Sequence, residues 1–327
     1  MNSVMLAESE LVGYLGTGFS YKDWVRALIA QQRETWPMLR SAIEGLNAVE
    51  TRTFDIGGSV VRGQFNPGRM ISTSAKVDPA TIGSRPCFLC SANLPPEERG
   101  IPFGEGYVVL CNPFPVLDDH LVISALEHVP QSMEGRIGHL LDLARELGPE
   151  WFCLYNGPRC GASAPDHLHF QAAAASGVPV FDELDRFGGN RESVEGGIFS
   201  PAGYRVNLAV IEGTNRELIA DRFDSLIARL PQSGSDEPMI NLVVRYQDGR
   251  WRLIIYPRER HRPACFFAEG DARLTVSPAA IDLSGVVVIP EREHFNRITA
   301  ADIAGIFREV TLNDDQMSAW LSTGGDE

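Results

Sequence analysis

The feature that most constrains the fold is an internal repeat. At an offset of 166 residues, without gaps, Val122-Ile123 aligns with Val288-Ile289 and Glu127-His128 with Glu293-His294. Ile137, Leu140 and Leu141 then align with Ile303, Ile306 and Phe307. Both copies read strand, turn, Glu-His, amphipathic helix, and the offset is about half of the 327 residues. Strand–turn–helix units are common, but here the Glu-His pairs match in phase with the helix faces. A duplicated module is therefore the expectation.

Composition narrows the class of partner. With 44% hydrophobic and 22% charged residues, the chain is globular rather than disordered or fibrous. Asp and Glu outnumber Lys and Arg by 43 to 29, a net charge of -14. Such a surface repels phosphate backbones and argues against nucleic acid as partner. A small anionic substrate needs only a local positive pocket. No apolar run reaches the roughly 18 residues of a membrane span. The N-terminus carries Glu8 and Glu10 and has no basic stretch before an apolar one, so it does not read as a signal peptide. The 6 Cys are too sparse for a disulfide framework, which fits a cytoplasmic setting.

Three segments follow from the pattern. Residues 1–50 read as helical, with Trp24, Leu28, Ile29 and Trp36 at helical spacing. Residues 51–180 hold short strand-like runs at 59–62, 107–111, 120–124 and 151–155, with a helix over 134–147. Residues 181–327 hold the second copy. Loops are expected at 186–200 and 231–237, and a frayed end over the last dozen residues. The expected fold is α+β: duplicated modules, mainly antiparallel sheet, with flanking helices.

The chemistry concentrates in Asn156 to Gln171, NGPRCGASAPDHLHFQ. If its end is a strand, His167, His169 and Gln171 share one face while Leu168 and Phe170 enter the core. Backbone N–H groups of the Gly-rich loop can cradle phosphate oxygens. One imidazole can attack phosphorus, and the amide can donate to a non-bridging oxygen. The plain alternative is a strand with two half-exposed histidines. Cys87 and Cys90 form a CxxC that is half of a zinc site, with His128 and His167 as candidate partners. A redox pair or two buried thiols are the competing readings. His120, eight residues before His128, reads on its own as a satisfied core histidine. Asn66, Arg69 and Lys76, and in the second half Arg258, Arg260 and Arg262, form basic clusters suited to an anionic ligand or to solvated ion pairs.

These residues resemble the histidine triad superfamily, in its transferase branch of uridylyltransferases and nucleotide phosphorylases. Asn112-Pro113-Phe114-Pro115 through His120 to Glu127-His128 is similar to the family's strand–turn–strand signature. Gly161-Ala162-Ser163 followed by His167-Leu168-His169-Phe170-Gln171 is similar to its active-site motif. The strong resemblance covers residues 60–175. It implies that His169 is a nucleophile forming a covalent nucleotidyl-histidine, with His167 orienting it or binding zinc. Gln171, in place of the hydrolase branch's third histidine, favours transfer over hydrolysis. Asn66, Arg69, Lys76, Asn156, Gly161 and Ser163 would hold nucleotide or phosphate. Arg258, Arg260 and Arg262 would serve the sugar or acceptor. Cys87, Cys90, His128 and His167 would hold a structural zinc ion. The implied function moves NMP from a nucleotide-sugar or dinucleotide to phosphate or a sugar 1-phosphate, in an assembly that the family suggests is a homodimer. A silent nucleotide binder and a dinucleoside polyphosphate hydrolase are the alternatives. Asp166 lengthens the spacing between Ser163 and His167 by one residue relative to the uridylyltransferases. The second copy keeps His294 but has no HxHxQ, so one active centre per chain is expected.

Overall fold

The structure, a computed structural model, describes residues 4–16, 19–70, 79–188, 194–231 and 237–322. Helices Tyr21–Thr35 and Pro37–Asn47 fill the expected helical N-terminal segment. Twelve strands follow: β1 (Glu50–Ile56), β2 (Ser59–Phe65), β3 (Ile101–Phe103), β4 (Tyr107–Cys111), β5 (Leu121–Ala125), β6 (Trp151–Asn156), β7 (His169–Ala174), β8 (Gly197–Phe199), β9 (Ala209–Gly213), β10 (Ile240–Gln247), β11 (Arg250–Pro257) and β12 (Val286–Ile289). Nine of them form one sheet in the order β3-β4-β5-β7-β6-β10-β11-β9-β8, and β1-β2-β12 form a second. Tight hairpins set the register where the sequence supplies positive φ. Gly57 and Gly58, at φ 63° and 84°, turn β1 into β2; Asp248 and Gly249, at 52° and 76°, turn β10 into β11.

The sheet order reveals the duplication. In the first half, β4, β5, helix Ile137–Leu147, β6 and β7 lie as β4-β5-β7-β6. In the second, β8, β9, helix Arg216–Ile227, β10 and β11 lie as β8-β9-β11-β10. The two modules meet edge to edge, β6 antiparallel to β10, with Leu154 opposite Val243. The same two residues pair outward with Gln171 and Ile254, so one module maps onto the other about that seam.

The modules are therefore present, but the 166-residue alignment does not relate them. Val122-Ile123 lie in β5, antiparallel between β4 and β7; Val288-Ile289 lie in β12, parallel to β2 in the other sheet. Glu127-His128 sit in a loop, whereas Glu293-His294 sit in helix Arg292–Arg297. Helix Ile137–Leu147 packs on one face of the large sheet and helix Ala300–Val310 on the core of the other. An apolar strand before an amphipathic helix is too generic a pattern to identify a repeat. The true copies share hydrogen-bonding order rather than side chains.

Side-chain alternation sorts the core into two layers. Ile123, Phe170, Tyr155, Ile211 and Leu253 face the helices Tyr21–Thr35, Ile137–Leu147 and Arg216–Ile227. Phe152, Leu154, Val210, Val243 and Ile254 face the small sheet and the C-terminal helices. Strand β6, buried along its whole length, is apolar on both faces for that reason. Two local expectations change. Strand β8 occupies part of the segment read as loop, and a helix, Asp314–Ser322, occupies most of the end read as frayed. Residues 186–187 of the expected loop close helix Pro179–Phe187, while 189–193, 323–327 and, in the other expected loop, 232–236 lie outside the described residues. No helix among the described residues is long and apolar enough to cross a membrane.

Candidate functional site

A cavity of about 630 Å³ opens on the side of the first module that carries His169 and Gln171. Strand alternation puts these two side chains together and sends Phe170 to the opposite layer, as read from the sequence. Elements from both halves close the cavity: the loop after β6, the Cys87–Cys90 knuckle, Arg262, and the segment from Ser277 to Asp282.

The tautomer of His169 is fixed by its surroundings. A carbonyl oxygen only accepts, so the 2.8 Å contact to the His167 carbonyl places the proton on His169 Nδ1. Nε2 then keeps its lone pair. Burial pushes the imidazole down to about 4, so the ring is neutral near pH 7. Gln131 clamps the backbone of His169 from both sides. Its side-chain carbonyl accepts from His169 N–H at 2.8 Å, and its amide donates to the His169 carbonyl at 3.1 Å and the Asn156 carbonyl at 2.9 Å. Gln131 was not singled out in the sequence; it lies in a loop with no periodicity to mark it.

The Gly-rich loop is shaped as an anion cradle. Gly161 sits at φ 117°, and a Cβ there would lie 2.7 Å from the Ala279 Cβ. Only glycine meets both conditions. The N–H groups of Gly161 and Ser163 donate to no acceptor among the described residues, and both residues line the cavity. Asn156 lines it as well, its side-chain oxygen accepting from Asn241 at 2.8 Å and from Ala280 N–H at 3.0 Å.

Positive charge is concentrated at this cavity despite the acidic chain. Arg69, Arg85 and Arg262 line it. Arg69 donates to the Phe114 carbonyl at 2.8 Å; burial lowers its guanidinium only to about 10, so it stays charged. Asp282 also lines the cavity, close enough to Arg69 for their charges to interact, with its carboxyl pushed up to about 6 by burial. Arg85, Glu98 and Asp282 carried no sequence signal that marked them as lining residues.

Other expected residues are placed elsewhere. All five N–H groups of Arg258 are taken. Nε donates to the Val310 carbonyl, Nη1 to Asn241 and the Pro278 carbonyl, and Nη2 to the carbonyls of Arg260 and His261. It braces the loop that presents Arg262 and has no donor left for a ligand. Arg260 points outward to Glu309 at 3.0 Å. Asn66 is buried, 3.3 Å from the Pro115 carbonyl, and lies outside the lining. Lys76 lies outside the described residues.

His167 leaves the shared face. It precedes β7, and its Nε2–H donates to the Ala125 carbonyl at 2.8 Å. Its Nδ1 lone pair therefore turns toward Cys87 Sγ at 3.3 Å, Cys90 Sγ at 3.6 Å and His128 Nδ1 at 3.2 Å. His128 Nδ1 is 3.2 Å from Cys90 Sγ, and all four ligand atoms lie within 4.8 Å of one another. A tetrahedral ion with usual Zn–S and Zn–N bonds sets ligand atoms about 3.3–3.8 Å apart, so these four could hold one metal ion. The Ala125 carbonyl is the outer partner that such a histidine ligand ordinarily has.

Among the described residues, the second module carries no copy of this site. Ser124 pairs with His169 and Glu212 with Arg252; Arg252 and Ile254 stand where His169 and Gln171 stand in the first.

In fold, the chain is similar to yeast Ap4A phosphorylase Apa2 in complex with AMP. The TM-score is 0.61 at 14% identity, over 88% of this chain and 96% of that one. The same enzyme in complex with Ap4A aligns at a TM-score of 0.58 and 14% identity, over 84% and 97%. At 14% identity the likeness is one of fold, and it spans most of both chains. More narrowly, residues 195–322 match the family model described as GDPGP1-like, C-terminal domain, and residues 28–174 match a domain of unknown function, DUF4922. No curated protein matches the chain in sequence.

Proposed function

We propose that the chain is a nucleotidyltransferase of the phosphorylase kind, acting on a nucleotide-sugar or dinucleotide through His169. The observation that carries the proposal is the bare Nε2 of His169, held by the His167 carbonyl beside a cradle of unused N–H groups. In the first half-reaction, the Nε2 lone pair forms a bond to the α-phosphorus while the P–O bond to the leaving group breaks, releasing sugar 1-phosphate from a nucleotide-sugar or the remaining nucleotide from a dinucleotide. In the second, an anionic acceptor takes the nucleotidyl group and the N–P bond breaks. Phosphate or a sugar 1-phosphate arrives already ionised and needs no general base. That suits Gln171, which donates hydrogen bonds but exchanges no proton. Gly161 and Ser163 N–H groups would hold phosphate oxygens, with Arg69 and Arg262 supplying charge. Trp36, Phe88 and Leu89 also line the cavity and offer apolar surface suited to a nucleobase.

The ion suited to Cys87, Cys90, His128 and His167 is zinc, in a structural role: four protein ligands leave no open position. It would pin the His167 carbonyl that orients His169. All 6 Cys are free thiols, which supports a reducing, cytoplasmic setting. The homodimer remains part of the proposal, and light scattering tests it.

The test is phosphorolysis. UDP-, GDP- and ADP-sugars and diadenosine tetraphosphate are each supplied with inorganic phosphate, and released sugar 1-phosphate or nucleotide is followed. Turnover of at least one donor by the wild type, and none by His169→Ala, is expected. Full activity of His169→Ala contradicts the proposal.

A further inference from the structure

A buried histidine that the proposed chemistry does not use stands beside Gln171 in the cavity lining. His120 is 5% exposed, and its two ring nitrogens have different partners. Val116 N–H donates to Nδ1 at 3.1 Å, so Nδ1 is the acceptor and the proton sits on Nε2. Nε2 is 2.9 Å from Gln171 Oε1. A ring N–H donates, so the atom that faces it must be an acceptor, the Gln171 oxygen. The remaining neighbour, Asn112 Nδ2 at 3.4 Å, is itself a donor, because Asn112 Oδ1 accepts from Phe114 N–H at 2.9 Å. That contact is a long approach of two N–H groups and does not compete.

An amide has two faces of nearly equal shape and opposite chemistry. If its oxygen is held by His120, its NH₂ is turned toward the cavity; if it flips, a carbonyl oxygen faces the substrate phosphate instead. We propose that His120 is a positioning residue: its Val116-fixed Nε2–H locks the Gln171 amide so that the NH₂ group is presented beside His169 Nε2. The inference rests on the reading of Gln171 as a donor to the transferred phosphate. The oxygen of an anionic phosphate is repelled by a carbonyl and attracted by an N–H, so the orientation of this one group separates a productive from an unproductive site.

The test combines four variants with one spectroscopic readout. His120→Leu removes the donor and is expected to lower kcat about tenfold or more, with nucleotide Kd unchanged. His120→Gln can still donate from its Nε2 and is expected to recover most of the loss. Gln171→Ala is expected to lose kcat to the same extent, and adding His120→Leu to it is expected to cost nothing further. Long-range ¹⁵N–¹H correlation of the His120 ring is expected to show the Nε2–H tautomer throughout the neutral pH range. An Nδ1–H tautomer overturns the inference without reference to activity. Losses that multiply in the double variant, or a His120→Gln enzyme as slow as His120→Leu, overturn it while leaving the Gln171 reading intact. A Gln171→Ala enzyme with full activity removes that reading and the inference with it.

Discussion

At the scale of single residues, the cavity holds groups whose ionisation is set by burial rather than by ion pairing. Glu98 is the clearest. It is 8% exposed, and its carboxylate makes no hydrogen bond or ion pair among the described residues. Burial raises its carboxyl from 4.5 to about 7. Between those values the folded chain keeps the proton and the unfolded chain does not. The stability linked to Glu98 is therefore complete below the ordinary carboxyl range and is lost as pH rises through about 7. Glu98→Gln, which carries no charge, is expected to leave Tm unchanged in acid and to raise it by several degrees above pH 7. Calorimetry at two pH values checks this, and a Tm gain equal at both would contradict it. The residue scale also shows what sequence spacing alone leaves open. His169 and Gln171 were legible because a strand alternates with period two. His167 was placed on the same face by that rule, but the strand begins only at His169. Nothing in local spacing marks Gln131, Glu98 or Asp282, since their roles depend on loops that meet only in the folded chain.

At the scale of elements, two connections set the geometry of the site. One is the Cys/His cluster, which ties the Cys87–Cys90 knuckle to the turn before β7. Because His169 is oriented by the carbonyl of a cluster residue, a metal held there would act on the nucleophile through the backbone. Stoichiometric zinc in the purified protein is expected, and its removal by chelation is expected to lower Tm and activity together. Metal analysis beside thermal unfolding reads this; zinc-free protein with unchanged Tm would contradict it. The other connection is Arg258, the strut between β11, the Arg260–His261 turn and the segment before helix Ala280–Leu283. Arg258→Lys keeps the charge but cannot serve these acceptors in a planar fork. It is expected to cost at least about 2 kcal/mol of stability, read by denaturant unfolding, because buried acceptors lose their donors. A stability within error of wild type would show that the acceptors find other partners. The sequence marked Arg258 as a cation for a ligand because composition shows charge but not who consumes it.

At the scale of the whole molecule, the duplicated fold supplies two modules, and the proposed chemistry sits in one of them. The expectation of α+β architecture was legible, because amphipathic helices and short strands leave a periodic trace; paired modules were expected as well, but from an alignment that joins unrelated elements. The register of the pairing was not legible. The copies keep their strand order while exchanging His169 for Arg252 and Gln171 for Ile254, so only the hydrogen-bonding pattern records the duplication. The second half instead contributes walls. Arg262 and Asp282 reach a cavity whose reactive residues all come from the first half. This division explains how an acidic chain offers an anion site: its net charge of -14 is spread over the molecule, while Arg69, Arg85 and Arg262 converge on one cavity.

In the proposed reaction everything turns on His169 Nε2 taking the nucleotidyl group from the donor. The most direct test is intact-mass measurement of the protein after mixing with each nucleotide-sugar, or with diadenosine tetraphosphate, in the absence of any acceptor. One added nucleotidyl group per chain is expected, mapped by peptide sequencing to His169, lost on adding phosphate or a sugar 1-phosphate, and absent from His169→Ala. A wild-type enzyme that turns over the same donors through a step leaving no adduct, or an adduct on another residue, would contradict it.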